Sequence, residues 1–324
     1  MEKLEALQKK IRERIAGLEY SRQPENLYKP IDYTLNLGGK RLRPALCLLA
    51  CDMFSDSNDK ALETAIGIEI FHNFTLLHDD IMDEAPIRRG KETVYKKWNS
   101  NVAILSGDTM MALSYEFVMR APENVRYEVF KIFNQTAIEV CEGQQYDMDF
   151  ETQEQVTLEA YIEMIRLKTA VLLAGSLQIG ALIGGADKNS AEILYKFGEQ
   201  IGIAFQLKDD LLDAYSDVEK FGKTTGGDIL ENKKTFLFLK TLELANFEDR
   251  HTLLHLYQNV NVDPKDKVSR VKAIFNSYEI QKHTENEIEK YYRLALDSLE
   301  SLKVAEDRKT ELLRFANQLK RREF

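Results

Sequence analysis

Two runs of carboxylates in this chain could do chemistry. Asp79-Asp80-Ile81-Met82-Asp83 and Asp209-Asp210-Leu211-Leu212-Asp213 share one spacing. On a helix, residues four apart lie on the same face and neighbours are turned by about 100°. Each run therefore crowds three carboxylates onto one arc, where they repel unless a cation sits among them. Carboxylate oxygen suits Mg²⁺, which keeps several waters and is commonly shared with substrate phosphates. A single run of this kind marks many solvated helix ends. Its recurrence, each time after a long apolar stretch, points to two patches that serve several Mg²⁺ ions and a diphosphate.

Cations stand near these runs. Lys40 and Arg43 follow the Gly38-Gly39 pair, and Arg88-Arg89 come soon after the first acidic run. Guanidinium groups grip phosphate oxygens two at a time, although any one of these residues alone reads equally well as solvated charge. His72, seven residues before Asp79, is either a donor to the same anion or a satisfied core histidine. Lys168-Thr169 opens an uncharged stretch, where a lysine can also simply snorkel to solvent. Lys223 in Phe221-Gly222-Lys223-Thr224-Thr225-Gly226-Gly227-Asp228 looks superficially like a phosphate loop. It lacks the earlier glycine and preceding strand of a nucleotide-hydrolysing P-loop.

The elements that must position these groups read as helices throughout. Leu4, Leu7, Ile11, Ile15 and Leu18 recur at helical spacing. A second short helix stops at Gly38-Gly39, and Pro44 can start the next. Helices are expected at 44–54 and about 60–84. A loop carrying Pro86 and Gly90 follows at 85–93. Further helices are expected at 99–120, 122–149, 157–168, 170–184 and 188–215. The segment 217–230 is polar and Gly-rich, and helices resume at about 232–247, 249–259, 264–276, 279–302 and 307–321. No alternating strand pattern stands out, so the expected class is all-α. No composition shift or linker divides the 324 residues, which predicts one large domain.

A net charge of −9 argues against general nucleic-acid binding, though not against a local basic pocket. Cys47, Cys51 and Cys141 have no metal spacing, which favours a reduced, cytoplasmic setting. The amphipathic N-terminus has no apolar signal region. Thr169 to Ala186 is an uncharged run near the length of a membrane span. Its glycines and polar residues read better as a tightly packed central helix, so no membrane span is expected.

Taken in order, these features resemble the trans-isoprenyl diphosphate synthases of the polyprenyl synthetase family. The resemblance rests on Gly39-Lys40-x-x-Arg43-Pro44, His72, the first Asp-rich run with Arg88-Arg89-Gly90, and Gly143-Gln144 with Asp147. It continues through Lys168-Thr169, Phe205-Gln206-x-x-Asp209-Asp210-x-x-Asp213, Lys223 and Asn232-Lys233. With the helical ends it covers nearly the whole chain. It implies the isoprenoid synthase fold, a large single-domain helical bundle around a central cavity, and a homodimer. It implies condensation of an allylic diphosphate (dimethylallyl, geranyl or farnesyl) with isopentenyl diphosphate, with three Mg²⁺ per site. By that resemblance Asp79, Asp83 and Asp209 hold the metal, while Asp80, Asp210 and Asp213 orient waters or neighbouring groups. Arg88, Lys168, Lys223 and Lys233 would hold the allylic diphosphate. Gly39, Lys40, Arg43, His72 and Arg89 would hold isopentenyl diphosphate. Thr169 and Gln206 would face the carbocation.

The growing tail is expected to run down from the acidic runs. Phe74 lies five residues before Asp79, about 7.5 Å along a helix axis, with Phe71 below it on nearly the same face. Both could be plain core aromatics. In the family, a bulky residue at the Phe74 position limits elongation. Thr75 is small where eukaryotic-type farnesyl synthases carry a second aromatic, and the first run lacks the insertion of typical bacterial farnesyl synthases. The pattern resembles archaeal-type geranylgeranyl diphosphate synthases, with farnesyl diphosphate as the alternative product. A class I terpene cyclase would carry a different second metal motif, and a non-catalytic regulatory subunit would tend to lose both Asp-rich motifs. The terminal Lys320-Arg321-Arg322-Glu323-Phe324 receives no site role.

Overall fold

The computed structural model describes residues 2–20, 22–216, 226–258 and 262–321. The chain falls into two compact units, 1–135 with 175–195 and 302–312, and 136–174 with 196–301 and 313–324. Among the described residues, the fold is all-α with one small exception. Ile87–Arg88 (β1) and Lys91–Glu92 (β2) pair antiparallel, Ile87 with Glu92 and Arg88 with Lys91. The sequence pattern leaves this segment as a loop, because four paired residues are too few for alternation to register.

The first unit is built on helix α4, Asp59–Met82. Its buried residues, among them Ala61, Ile66, Ile68, Ile70, Phe71, Phe74 and Leu77, fall on all of its faces, as a helix surrounded by others requires. Helices α1 (Glu2–Ala16), α2 (Glu25–Asn36), α3 (Leu42–Phe54), α5 (Val94–Lys97) and α6 (Ser100–Val118) pack against it. Leu7, Ile11 and Ile15 give α1 a single apolar stripe. The side chain of Asn99 caps α6 by accepting from the Val102 amide at 2.9 Å. Where α4 ends, the Asp83 amide donates to the Asp79 carbonyl at 2.8 Å, and Glu84 turns left-handed at φ 48.

Arg41, the left-handed residue before α3 (φ 48), points its guanidinium inward. It pairs with Glu69 of α4 at 2.5 Å, both side chains being almost fully buried, and also donates to the Leu35 carbonyl. Asn73 donates to the same Glu69 oxygen at 2.9 Å. Further along, the run 175–184 lies directly on α3. A Cβ at Gly180 would sit 2.0 Å from the Cys47 carbonyl oxygen, so the small residues there do permit the close approach expected of them.

The second unit takes the later part of α7 (Glu123–Thr152), α8 (Leu158–Ile165), the start of α9 (Val171–Gly184) and most of α10 (Lys188–Tyr215). It continues with α11 (Gly227–Leu230), α12 (Phe236–Leu244), α13 (Phe247–Gln258), α14 (Pro264–Ser277) and α15 (Ile280–Ser301), and ends with the later part of α16 (Glu306–Arg321). Its core includes Phe150, Tyr161, Ile165, Leu207, Phe238 and Phe275. The helix expected at about 232 begins only at Phe236, and the polar segment before it includes the single helical turn α11. The two helices expected at 157–168 and 170–184 form one rod, joined by a π turn at Arg166–Ala170. The rod is long and apolar enough to cross a membrane, but 83% of its most apolar window is buried within the protein.

Removing one partner of a buried ion pair leaves the other charge without compensation. Glu69→Ala should therefore lower stability by about 3–5 kcal/mol, read as a fall in the urea midpoint. An unchanged midpoint would mean that Arg41 does not depend on Glu69.

Candidate active site

The first acidic run forms the last turn of α4, with Asp83 as its C-cap. Helix C-termini carry partial negative charge, so three carboxylates there are electrostatically unfavourable by themselves. Asp80 is buried, and its Oδ1 accepts from Arg88 Nε at 2.6 Å. Burial raises its carboxyl above the usual range, while Arg88 pulls the other way. Asp79 is half-buried and Asp83 exposed.

Arg88 and Arg89 sit in the hairpin. Arg89 and Gly90 both have positive φ, 53 and 75, which is the backbone of a type I′ turn. An arginine rarely takes that conformation. Here its guanidinium donates to the Gly38 carbonyl and lies against Gly39, where a Cβ would meet it at 2.8 Å. Gly39 itself has φ 125, and Lys40 beside it is exposed. Arg43 Nη1 lies 3.1 Å from His72 Nε2. A guanidinium can only donate, so Nε2 is the bare, accepting nitrogen. Burial first, then Arg43, Arg89, Arg41 and Arg88, hold the imidazole well below its ordinary pKa. A neutral histidine amid four arginines is a setting made for an anion.

Two residues before the first motif's helix end behave differently from these cations. Phe74 is buried, with ring contacts to Phe71 at 5.5 Å and to His78 at 4.8 Å. Thr75 is half-buried and donates to the His72 carbonyl at 2.9 Å.

In the second unit, the second acidic run lies near the end of α10. Asp210 is buried and both of its oxygens accept from neutral donors. Tyr161 OH reaches Oδ2 and Gln206 Nε2 reaches Oδ1 at 3.1 Å. Gln206 Oε1 in turn accepts from Thr169 Oγ1 at 3.2 Å. Burial raises the Asp210 carboxyl to about 6. Asp213 Oδ2 accepts the Asp228 amide at 2.9 Å. The Asp228 carboxyl is pushed up to about 7, by burial and then by Asp210 and Asp213. Lys233 reaches Glu231 at 2.9 Å and Asp228 at 3.7 Å. Asp209 is half-buried, one turn before Asp213.

The π turn presents Lys168 and Thr169. Lys168 Nζ meets Asp147 Oδ2 of α7 at 2.5 Å. The turn is seated against Gly143, where a Cβ would lie 2.2 Å from the Lys168 amide nitrogen. Any larger residue would push the turn away. Lys234, next to Lys233, donates to the Phe150 carbonyl at 2.5 Å and the Gln153 carbonyl at 2.6 Å. It anchors its loop to the end of α7. Lys223 lies outside the described residues.

Sequence reasoning missed Tyr161 and Asp228. Tyr161 stands seven residues before Lys168, a same-face spacing that could have raised it. Asp228 had only its place after the glycines to mark it. Among the described residues, no three His, Cys, Asp or Glu side chains are gathered as a closed metal cage. Mg²⁺ takes one or two carboxylates and fills its other positions with water and phosphate. The two acidic runs, with Asp79 and Asp83 in one and Asp209 and Asp213 in the other, are the candidate source of such oxygen ligands.

The raised carboxyl groups of Asp210 and Asp228 affect stability in the same direction. A carboxyl whose folded pKa exceeds its unfolded one adds stability below the unfolded value, and that stability is lost as pH rises through the folded value. For Asp210 and Asp228 the window runs from the ordinary 3.8 up to about 6 and about 7. The melting temperature in chelator should fall from pH 5 to pH 8, and less steeply in Asp228→Asn. Equal slopes in calorimetry would contradict the assignment.

The sequence model of the polyprenyl synthetase family matches residues 24–277. A geranylgeranyl diphosphate synthase of Methanosarcina mazei is 44% identical over 224 residues, 68% of this chain and 69% of that protein. One from Sulfolobus acidocaldarius is 37% identical over 285 residues, 87% of this chain and 86% of that protein. A crystal structure of a geranylgeranyl pyrophosphate synthase superposes with a TM-score of 0.93 at 44% identity, covering 98% of each chain. The two Asp-rich helix ends thus stand in a sequence and a fold shared along nearly the full length. The chain belongs to the polyprenyl synthetase family, as a prenyltransferase of the short-chain trans-isoprenyl diphosphate synthase type.

Proposed function

We propose that this enzyme condenses allylic diphosphates (dimethylallyl, geranyl and farnesyl) with isopentenyl diphosphate to give geranylgeranyl diphosphate as main product. The observation that carries the product length is Phe74, buried on α4 in ring contact with Phe71 and His78, five residues before Asp79. A bulky side chain fixed there acts as a floor for the growing tail. Thr75, small and turned to its own helix backbone, leaves room for a C20 rather than a C15 product. Relatives named geranylgeranyl diphosphate synthase at 37–44% identity support the same length.

Asp79, Asp83 and Asp209 are the proposed Mg²⁺ ligands, with Asp213 beside them and Asp80 and Asp210 orienting the neighbouring groups that they already bind. Bound Mg²⁺ supplies positive charge for the diphosphate that departs when the allylic C–O bond breaks. Arg88, Lys168 and Lys233, with Lys223 in the undescribed segment, hold the allylic diphosphate. Asp80, Asp147 and Asp228 steer the first three of these cations beforehand. Gly39, Lys40, Arg43, His72 and Arg89 hold isopentenyl diphosphate, His72 remaining neutral. Thr169 donates to Gln206, which leaves its oxygen lone pairs to face the allylic cation. Water would quench that cation, so the flanking apolar side chains also serve to exclude it.

A homodimer in the cytoplasm is the proposed setting. Exposed Ile104 and Leu105 on α6 offer uncovered apolar surface, and Cys47, Cys51 and Cys141 form no disulfide.

Incubation with isopentenyl diphosphate, Mg²⁺ and each primer in turn should release pyrophosphate and give mainly C20 product; no elongation from any primer would refute the synthase reading. Asp209→Ala should fold normally and lose turnover by about 10²-fold or more, whereas wild-type rates would remove Asp209 from the metal site. Phe74→Ala should lengthen the products, and an unchanged radiolabelled product ladder would sink the floor.

A further inference from the structure

His78 precedes Asp79 directly and has no part in the roles above. It lies one turn beyond Phe74 on α4, and the two rings meet edge to face, with centroids 4.8 Å apart and planes at 67°. Phe71 touches Phe74 from the other side at 5.5 Å and is itself held by Phe133 at 5.4 Å. Phe74 is therefore flanked by two rings of its own helix. Phe74 is buried, but its position along α4 does not by itself select one of the staggered rotamers.

What steadies the outer ring comes from α6. His78 Nε2 lies 3.2 Å from the Ile104 carbonyl oxygen and 4.0 Å from Asp108 Oδ1. Both partners accept, so Nε2 carries the proton and donates. The imidazole reaches that carbonyl only because residue 107 is glycine. A Cβ there would lie 2.2 Å from Nε2 and 2.6 Å from Cδ2. An aliphatic residue at 78 would fill the space without bonding to α6, and a residue larger than glycine at 107 would exclude the ring.

We propose that His78 is a positioning residue for product length, its hydrogen bond to the Ile104 carbonyl locking the ring that holds Phe74 across the path of the growing chain. Product length then depends on the Phe74–His78–Ile104 contact and on the small residue at 107, as well as on the size of residue 74. This rests on the floor reading of Phe74.

The test uses the full-length enzyme with isopentenyl diphosphate, Mg²⁺ and farnesyl diphosphate, with products resolved by length. His78→Leu and Gly107→Ala should each raise the ratio of longer products to the main product by about two- to tenfold, the range of a single edge-to-face ring contact. His78→Gln, whose amide can reach the Ile104 carbonyl but offers no ring to Phe74, should fall between His78→Leu and wild type. A merely structural role would lower the rate for all lengths together and leave their ratio unchanged. That result in His78→Leu, with Phe74→Ala still lengthening products, overturns the proposal and spares the floor. If Phe74→Ala itself leaves the ladder unchanged, the floor reading falls and this inference falls with it.

Discussion

Carboxylates at the C-terminal ends of two long helices are the constraint on which the rest of this structure turns. The macrodipole disfavours negative charge there, and each run adds like-charge repulsion. Neither α4 nor α10 would end this way for stability. Each unit answers by burying one carboxylate against fixed donors. Asp80 takes a guanidinium, and Asp210 takes a phenol and an amide. The other carboxylates of the two runs are half-buried or exposed. Stability is given up at these helix ends in exchange for the proposed metal site.

Much of this was legible in the sequence. The 3.6-residue period gives most helices, and the last turn of α4 and the length of α10 fall where the apolar pattern puts them. The doubled acidic spacing singles out the two runs proposed to bind metal. Less legible was the work of each cation. Arg41 and Arg43 stand two residues apart and look alike. A left-handed backbone at Arg41 turns one guanidinium inward to Glu69, while the other meets His72. Only tertiary contact separates the two. Arg89 is similar, since nothing in its side chain favours the turn conformation that the hairpin imposes.

The π turn was hidden for a different reason. One extra residue in a helical turn leaves no mark in composition. It only shifts the phase of the pattern, which reads as a break between two helices. The break expected at Lys168-Thr169 is in fact a continuous rod carrying a widened turn. Such turns recur at functional sites because they free backbone groups and re-aim side chains. Here the widened turn aims Lys168 at Asp147 and Thr169 at Gln206, and Gly143 makes room for it. Tyr161, two turns earlier on the same rod, was missed because its partner Asp210 lies 49 residues away.

His72 has one more consequence. Its imidazole is neutral because burial and four arginines make protonation unfavourable. An anion settling among those arginines cancels part of their field and makes the imidazole more basic. Anion affinity and proton affinity at this histidine would therefore reinforce one another.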